Sequence, residues 1–164
     1  MTRFPLVILL SMTVAFVAAA QVSVSGEATA SQFGKTVFGL GFSGGPASGV
    51  GVSFRTHLPS KSSFQVVLGI IKANDRLSTS VGGEYQYDLV RGRSTRFFVG
   101  PSISYFYSGV NHNEMAAPWR LGAGVGIEFA VQDALHMSAE GVFVFFSDGT
   151  ILPLPQFALH YYFF

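Results

Sequence analysis

A chain of 164 residues is long enough for one domain, and ten Lys and Arg against nine Asp and Glu leave a net charge of +1. That balance excludes a basic protein built to hold a polyanion and an acidic disordered tail, so nucleic acid is not an expected partner. With 49% hydrophobic and only 12% charged residues, the chain is too apolar for water to coat a domain of this size, and it points to a membrane.

Residues 1–20 come first. Arg3 precedes an apolar run at 4–10, and the segment ends in Ala18-Ala19-Ala20. This is the pattern of a secretory signal peptide, with small residues at Ala18 and Ala20 placing cleavage before Gln21. Ser11, Met12 and Thr13 interrupt the run, which disfavours an uncleaved anchor. Removing these 20 of 164 residues leaves 144, with nine basic and nine acidic side chains. Residues 21–34 are expected to form a lead, flexible or a short strand. Nothing in the chain is Cys, so an exported product has no disulfide, thiolate metal site or thiol nucleophile. No later stretch reaches the roughly 20 apolar residues of a spanning helix.

From residue 38 onward the apolar residues alternate with period two, which separates faces in a strand and mixes them in a helix. Phe38, Leu40 and Phe42 alternate with Gly39, Gly41 and Ser43; Val50, Val52 and Phe54 alternate with Gly51, Ser53 and Arg55. Residues 64–72 form a nearly continuous apolar run. Within 77–88, Val81, Tyr85 and Tyr87 oppose Gly82, Glu84, Gln86 and Asp88. Within 96–107, Phe97, Val99, Ile103, Tyr105 and Tyr107 oppose Gly100, Ser102 and Ser104. The clearest case is 119–129, where Trp119, Leu121, Ala123, Val125, Ile127 and Phe129 face away from Arg120, Gly122, Gly124, Gly126 and Glu128. Residues 136–146 and 156–164 complete eight strands. Turn residues separate them: Gly44-Gly45-Pro46, residues 59–62, Asn74-Asp75, Arg91-Gly92-Arg93, residues 111–113, Gln132-Asp133, and Asp148-Gly149 with Pro153 and Pro155.

Eight strands of about ten residues suit an antiparallel up-and-down transmembrane β-barrel spanning 35–164. The bulky face is expected outward, because an eight-stranded lumen is only wide enough for its inward side chains and has no room for several large residues per strand. In lipid, a closed barrel also pairs every backbone polar group. If the chain starts and ends in the periplasm, the turns near 59–62, 91–95 and 132–134 lie on that side. Two aromatic girdles result, with Tyr105, Tyr107 and Trp119 at the outer interface and Tyr85, Tyr87, Tyr161 and Tyr162 at the inner one.

The alanine-ended signal, the alternating strands, the glycine-interleaved strand at 121–129 and the end Tyr161-Tyr162-Phe163-Phe164 resemble small eight-stranded outer-membrane barrels of the OmpA, OmpX and opacity-protein type. The resemblance implies a cell outer membrane location in a Gram-negative envelope. It also implies partners: outer-membrane lipids and lipopolysaccharide, periplasmic chaperones, and an assembly machinery that reads the terminal Phe164. Strict alternation puts Ala158 and His160 on the face of Phe164, whereas Phe157, Leu159, Tyr161 and Phe163 make the better apolar face. A bulge or a different final register would reconcile the two.

Inward ionic residues are expected at Arg55, Glu84, Asp88, Arg96, Arg120, Glu128, His136 and Glu140, forming ion pairs across strands because an unpaired charge there is costly. Such a network reads as a lumen plug; a narrow porin-like ion path is the alternative. His136, Ser138 and Glu140 share a face, superficially like the His, Ser and Glu of barrel lipid A deacylases, but Ala139 replaces the Asn of their His-x-Ser-Asn motif, and all three point inward. His112 and Glu114 offer two metal ligands without a third nearby. No cofactor, metal or enzymatic activity is therefore expected. The expected role is envelope integrity or surface interaction through short outer loops.

Overall fold

The computed structural model describes residues 35–163; the expected signal segment at 1–20, the lead at 21–34 and Phe164 lie outside them. Eight strands occur in order: β1 (Val37–Gly45), β2 (Gly49–His57), β3 (Ser62–Ala73), β4 (Arg76–Arg91), β5 (Thr95–Gly109), β6 (Trp119–Ala130), β7 (Leu135–Phe146) and β8 (Ile151–Phe163). Each pairs antiparallel with the next, and β1 pairs with β8, so the sheet is a closed up-and-down barrel. The turns at 58–61, 92–94 and 131–134 share one end with the start of β1 and the end of β8, called here the terminal end. The opposite end is the loop rim.

Alternation sends the large apolar side chains outward. Leu121 is 55% and Val125 62% exposed, and Phe38, Leu40, Phe54, Val66, Ile103, Phe143 and Leu159 are exposed around the wall with them. An apolar surface this continuous is far larger than water tolerates on a monomer. With an interior that is mostly polar, apart from Val67, Phe98 and a small cluster of Ala47, Val142 and Val144, it is the exterior of a membrane-spanning barrel. Closure makes that possible, because ladder bonds satisfy the wall's backbone groups without help from solvent.

β4 and β8 depart furthest from their expected bounds. β4 continues past the expected Asp88 to Arg91, the first residue of the expected turn, through a bulge at which Asp88 pairs with Phe98 but Val90 pairs with Phe97. The extra residue puts both Leu89 and Val90 outside and returns Arg91 to the face of Asp88, as a bulge shifts the alternation by one. β8 begins at Ile151 and includes Pro153 and Pro155, which were expected to mark a turn. These prolines pair with Phe143 and Gly141 of β7, whereas β1 pairs with β8 no further along than Phe157. Their missing N–H groups therefore cost no ladder bond, the edge position at which proline is tolerated.

The facing of the last strand is regular through Phe163. Phe157, Leu159, Tyr161 and Phe163 are outside, while Ala158, His160 and Tyr162 are buried inside. Tyr162, expected in the inner girdle, is 1% exposed and belongs to the lumen. Its neighbour across the ladder is Gly39, where an added Cβ would lie 2.5 Å from the Tyr162 ring. A glycine on β1 thus makes the room the tyrosine occupies.

Candidate functional site

The barrel interior is built by the inward residues of each strand, and its lower half, toward the terminal end, is a dense ionic layer. Glu128 on β6 is its hub. One of its oxygens receives Arg55 of β2 and, at 2.8 Å, Arg96 of β5; the other lies 3.2 Å from His136 Nδ1 and 3.8 Å from His57 Nε2. Arg96 also donates to Asp88 at 2.6 Å and to the Gln86 carbonyl at 2.5 Å, and Arg55 Nε donates to Gln65 at 2.8 Å. Asp88 has a second cation, Arg91, whose Nε donates at 2.6 Å. Arg55, Arg96, Asp88 and Glu128 are all buried to 2% exposure or less. Charges this deep persist only when each is paired and hydrogen-bonded, and the forked guanidinium of Arg fits that demand.

Below the hub sits an aromatic and imidazole layer. His57 lies 2.6 Å from Ser63 Oγ through Nδ1 and 2.6 Å from the Tyr162 hydroxyl through Nε2. The ring of His136 meets Tyr162 edge-on at 4.9 Å, and His160 lies 2.8 Å from Ser53 Oγ.

The upper half is different. Glu84 and Glu140, expected in ion pairs, make none among the described residues; the two carboxylates share the Gln156 amide, which donates at 2.9 and 2.5 Å, and Gln86 donates to Glu84 as well. Arg120, expected opposite a carboxylate, instead lies 4.0 Å over the Phe106 ring and 5.0 Å from that of Phe146, and donates to the Pro46 carbonyl at 3.3 Å. Cation–π contact and a backbone acceptor replace the anion.

That carbonyl belongs to the β1–β2 tip, which does not face outward as an outer loop. Residues 46–48 fold into the lumen, with Ala47 at 0% and Ser48 at 1% exposure. Ser48 Oγ reaches Gln156 at 3.3 Å. The tip crosses the inner faces of β4 and β6 where glycines let it approach: a Cβ on Gly82 would meet the Ser48 carbonyl at 2.2 Å, and one on Gly122 would meet the Ala47 side chain at 2.5 Å. Gly49, at φ 104°, makes the return into β2 in a conformation that suits glycine.

The aromatic girdles are largely where alternation puts them. Tyr105 and Trp119 pack at 4.9 Å on the outer wall near the loop rim, with Tyr107 beyond them. Tyr85 packs on Phe64 at 5.3 Å toward the terminal end, where Tyr87 and Tyr161 are also outside. His136, Ser138 and Glu140 share the inner face but have different partners: Glu128 for His136, Arg55 at 3.4 Å for Ser138, and Gln156 for Glu140. Glu114 is held at 2.8 Å by Arg76, away from His112. No group of three or more metal-ligating side chains occurs among the described residues. Missed in the sequence were Arg91, His57, His160, Tyr162 and the glutamines Gln65, Gln86 and Gln156. Alternation alone would have found all but Arg91, which only the bulge turns inward.

No protein-family model matches the chain, and no curated protein matches it. Among solved structures it is similar to the Yersinia pestis outer membrane protein Ail in a phospholipid bilayer nanodisc, at 11% identity and a TM-score of 0.41, covering 79% of this chain and 99% of that one.

Proposed function

We propose that the protein is a small outer-membrane barrel that anchors, rather than conducts or catalyses, and contributes envelope integrity or surface contact through the loops at 74–75, 110–118 and 147–150. The single observation behind this is the Arg55–Glu128–Arg96 layer, whose buried ion pairs link β2, β5 and β6 through the interior. An eight-stranded wall has no spare diameter once such a layer is in place. The loop rim then faces outside, toward lipopolysaccharide and other surface ligands, and the terminal end faces the periplasm. The inward facing of Ser138, His136 and Glu140 supports a role without lipid chemistry, because lipid lies on the other side of the wall.

Planar bilayers holding the purified protein test the closed lumen. The expected record is electrically silent for the native chain, with steps emerging in Glu128→Gln as the layer loosens. A large, selective native current overturns this reading in favour of a narrow porin-like channel. Fractionation with heat-modifiable gel migration checks the location, and a soluble periplasmic chain would overturn it.

A further inference from the structure

β1 and β2 have 9 residues each, whereas β3 to β8 have 12 to 16. Because the tip of the short hairpin turns into the lumen, the wall above it lacks two strands near the loop rim. On one flank of this gap stands β8 with its two prolines. On the other stands β3, which pairs with β2 only as far as Leu68 and runs on to Ala73 with a free edge. A cavity of about 480 Å³ fills the space against that edge.

Its floor is Phe42, Val50 and Val52, and its side wall is Leu68 with Ile70. These are outward, lipid-facing residues, Phe42 at 67% and Ile70 at 78% exposure. It also touches Phe106 of β5 and Met115 of the β5–β6 loop. Ile70 and Ile71 both line it although they lie on opposite faces of β3, so the void wraps around the strand edge and joins the outer surface to the upper interior. On the β2 side of the mouth the Val50 amide donates to Ser80 Oγ at 3.0 Å and the Val50 carbonyl accepts from it at 2.6 Å. A hydrocarbon can therefore pass Val50 without stranding that residue's backbone groups.

We propose that this crevice admits one acyl chain of a lipid from the surrounding leaflet, sideways through the wall. The proposal rests on the membrane reading above. The occupant is argued from continuity, since floor and side wall are extensions of the lipid-facing band, with Ser78, Ser80 and Ser108 beside Phe106 lining the deeper part. Charge agrees with it: Lys72, beyond the mouth on the exposed β3–β4 hairpin, makes no ion pair among the described residues, and it stands where a headgroup phosphate would lie.

Because the native chain has no Cys, single probes are clean. A bimane on Met115→Cys, or on Ser108→Cys should the first fail to fold, reports the crevice; one on Val125→Cys reports the lipid-facing wall. In vesicles of phospholipid brominated in the acyl chains, the Met115 probe is expected to lose fluorescence to an extent comparable with the Val125 probe, and Ile71→Phe, which narrows the mouth, to reduce that loss severalfold. If Val125 is unquenched, the membrane reading itself fails. If Val125 is quenched while Met115 and Ser108 respond only to aqueous iodide, the crevice is a water pocket and the proposal is overturned. Brominated free fatty acid, added to unbrominated vesicles and quenching Met115 well before Val125, overturns the assignment to a leaflet lipid.

Discussion

The lower and upper halves of this barrel share one wall and one alternation, yet their interiors are held by different physics. Below, Arg55, Arg91 and Arg96 interlock with Asp88 and Glu128 in a buried layer. Above, two carboxylates share an amide, an arginine rests on rings, and a hairpin tip fills the centre. The lower half fills the interior with paired charge; the upper half fills it with the hairpin tip, whose Ala47 packs on Val142 and Val144.

Removing the hub should break the comparison most severely. Glu128→Gln keeps the shape but leaves Arg55 and Arg96 short of their anion, and the expected loss is about 3–5 kcal/mol of unfolding free energy, measured by urea titration in vesicles with gel mobility as readout. An unchanged midpoint would mean that the layer contributes shape alone. Next in size is Tyr162→Phe, which deletes the hydroxyl 2.6 Å from His57 Nε2. A buried partner left unmet costs roughly 1–3 kcal/mol, in the same titration. Smallest is Glu140→Gln. Glu140 has a like charge beside it in Glu84 and no cation in ion-pair contact, so removing its charge relieves a repulsion and the variant should be at least as stable as the native chain. A loss as large as that of Glu128→Gln would erase the distinction between the halves.

Much of this was legible in the residues. The strand from Trp119 to Ala130 alternates without a break, and Leu121 and Val125 face lipid because no lumen of eight strands holds them. Arg55, Glu84, Asp88, Arg96, Glu128, His136 and Glu140 all point inward, since each occupies the polar parity of its strand. Arg91 was not legible, because a bulge is set by pairing with β5 and shifts parity without a local signal. Tyr162 misled through type: tyrosine suits an interface, but its parity is that of His160 and Ala158, and the room beside Gly39 settles it inside.

By itself, the sequence determined a closed eight-stranded wall with its apolar face outward, because period-two patterning is a local property that any antiparallel neighbour must respect. Only the tertiary structure decided which inward charges meet, why Glu84 and Glu140 do not find an arginine, and that the tip at 46–48 turns inward to leave a gap beside β3. Those outcomes depend on contacts between strands far apart in the chain, on the register that sets their heights, and on the space that Gly82 and Gly122 leave for a hairpin to enter.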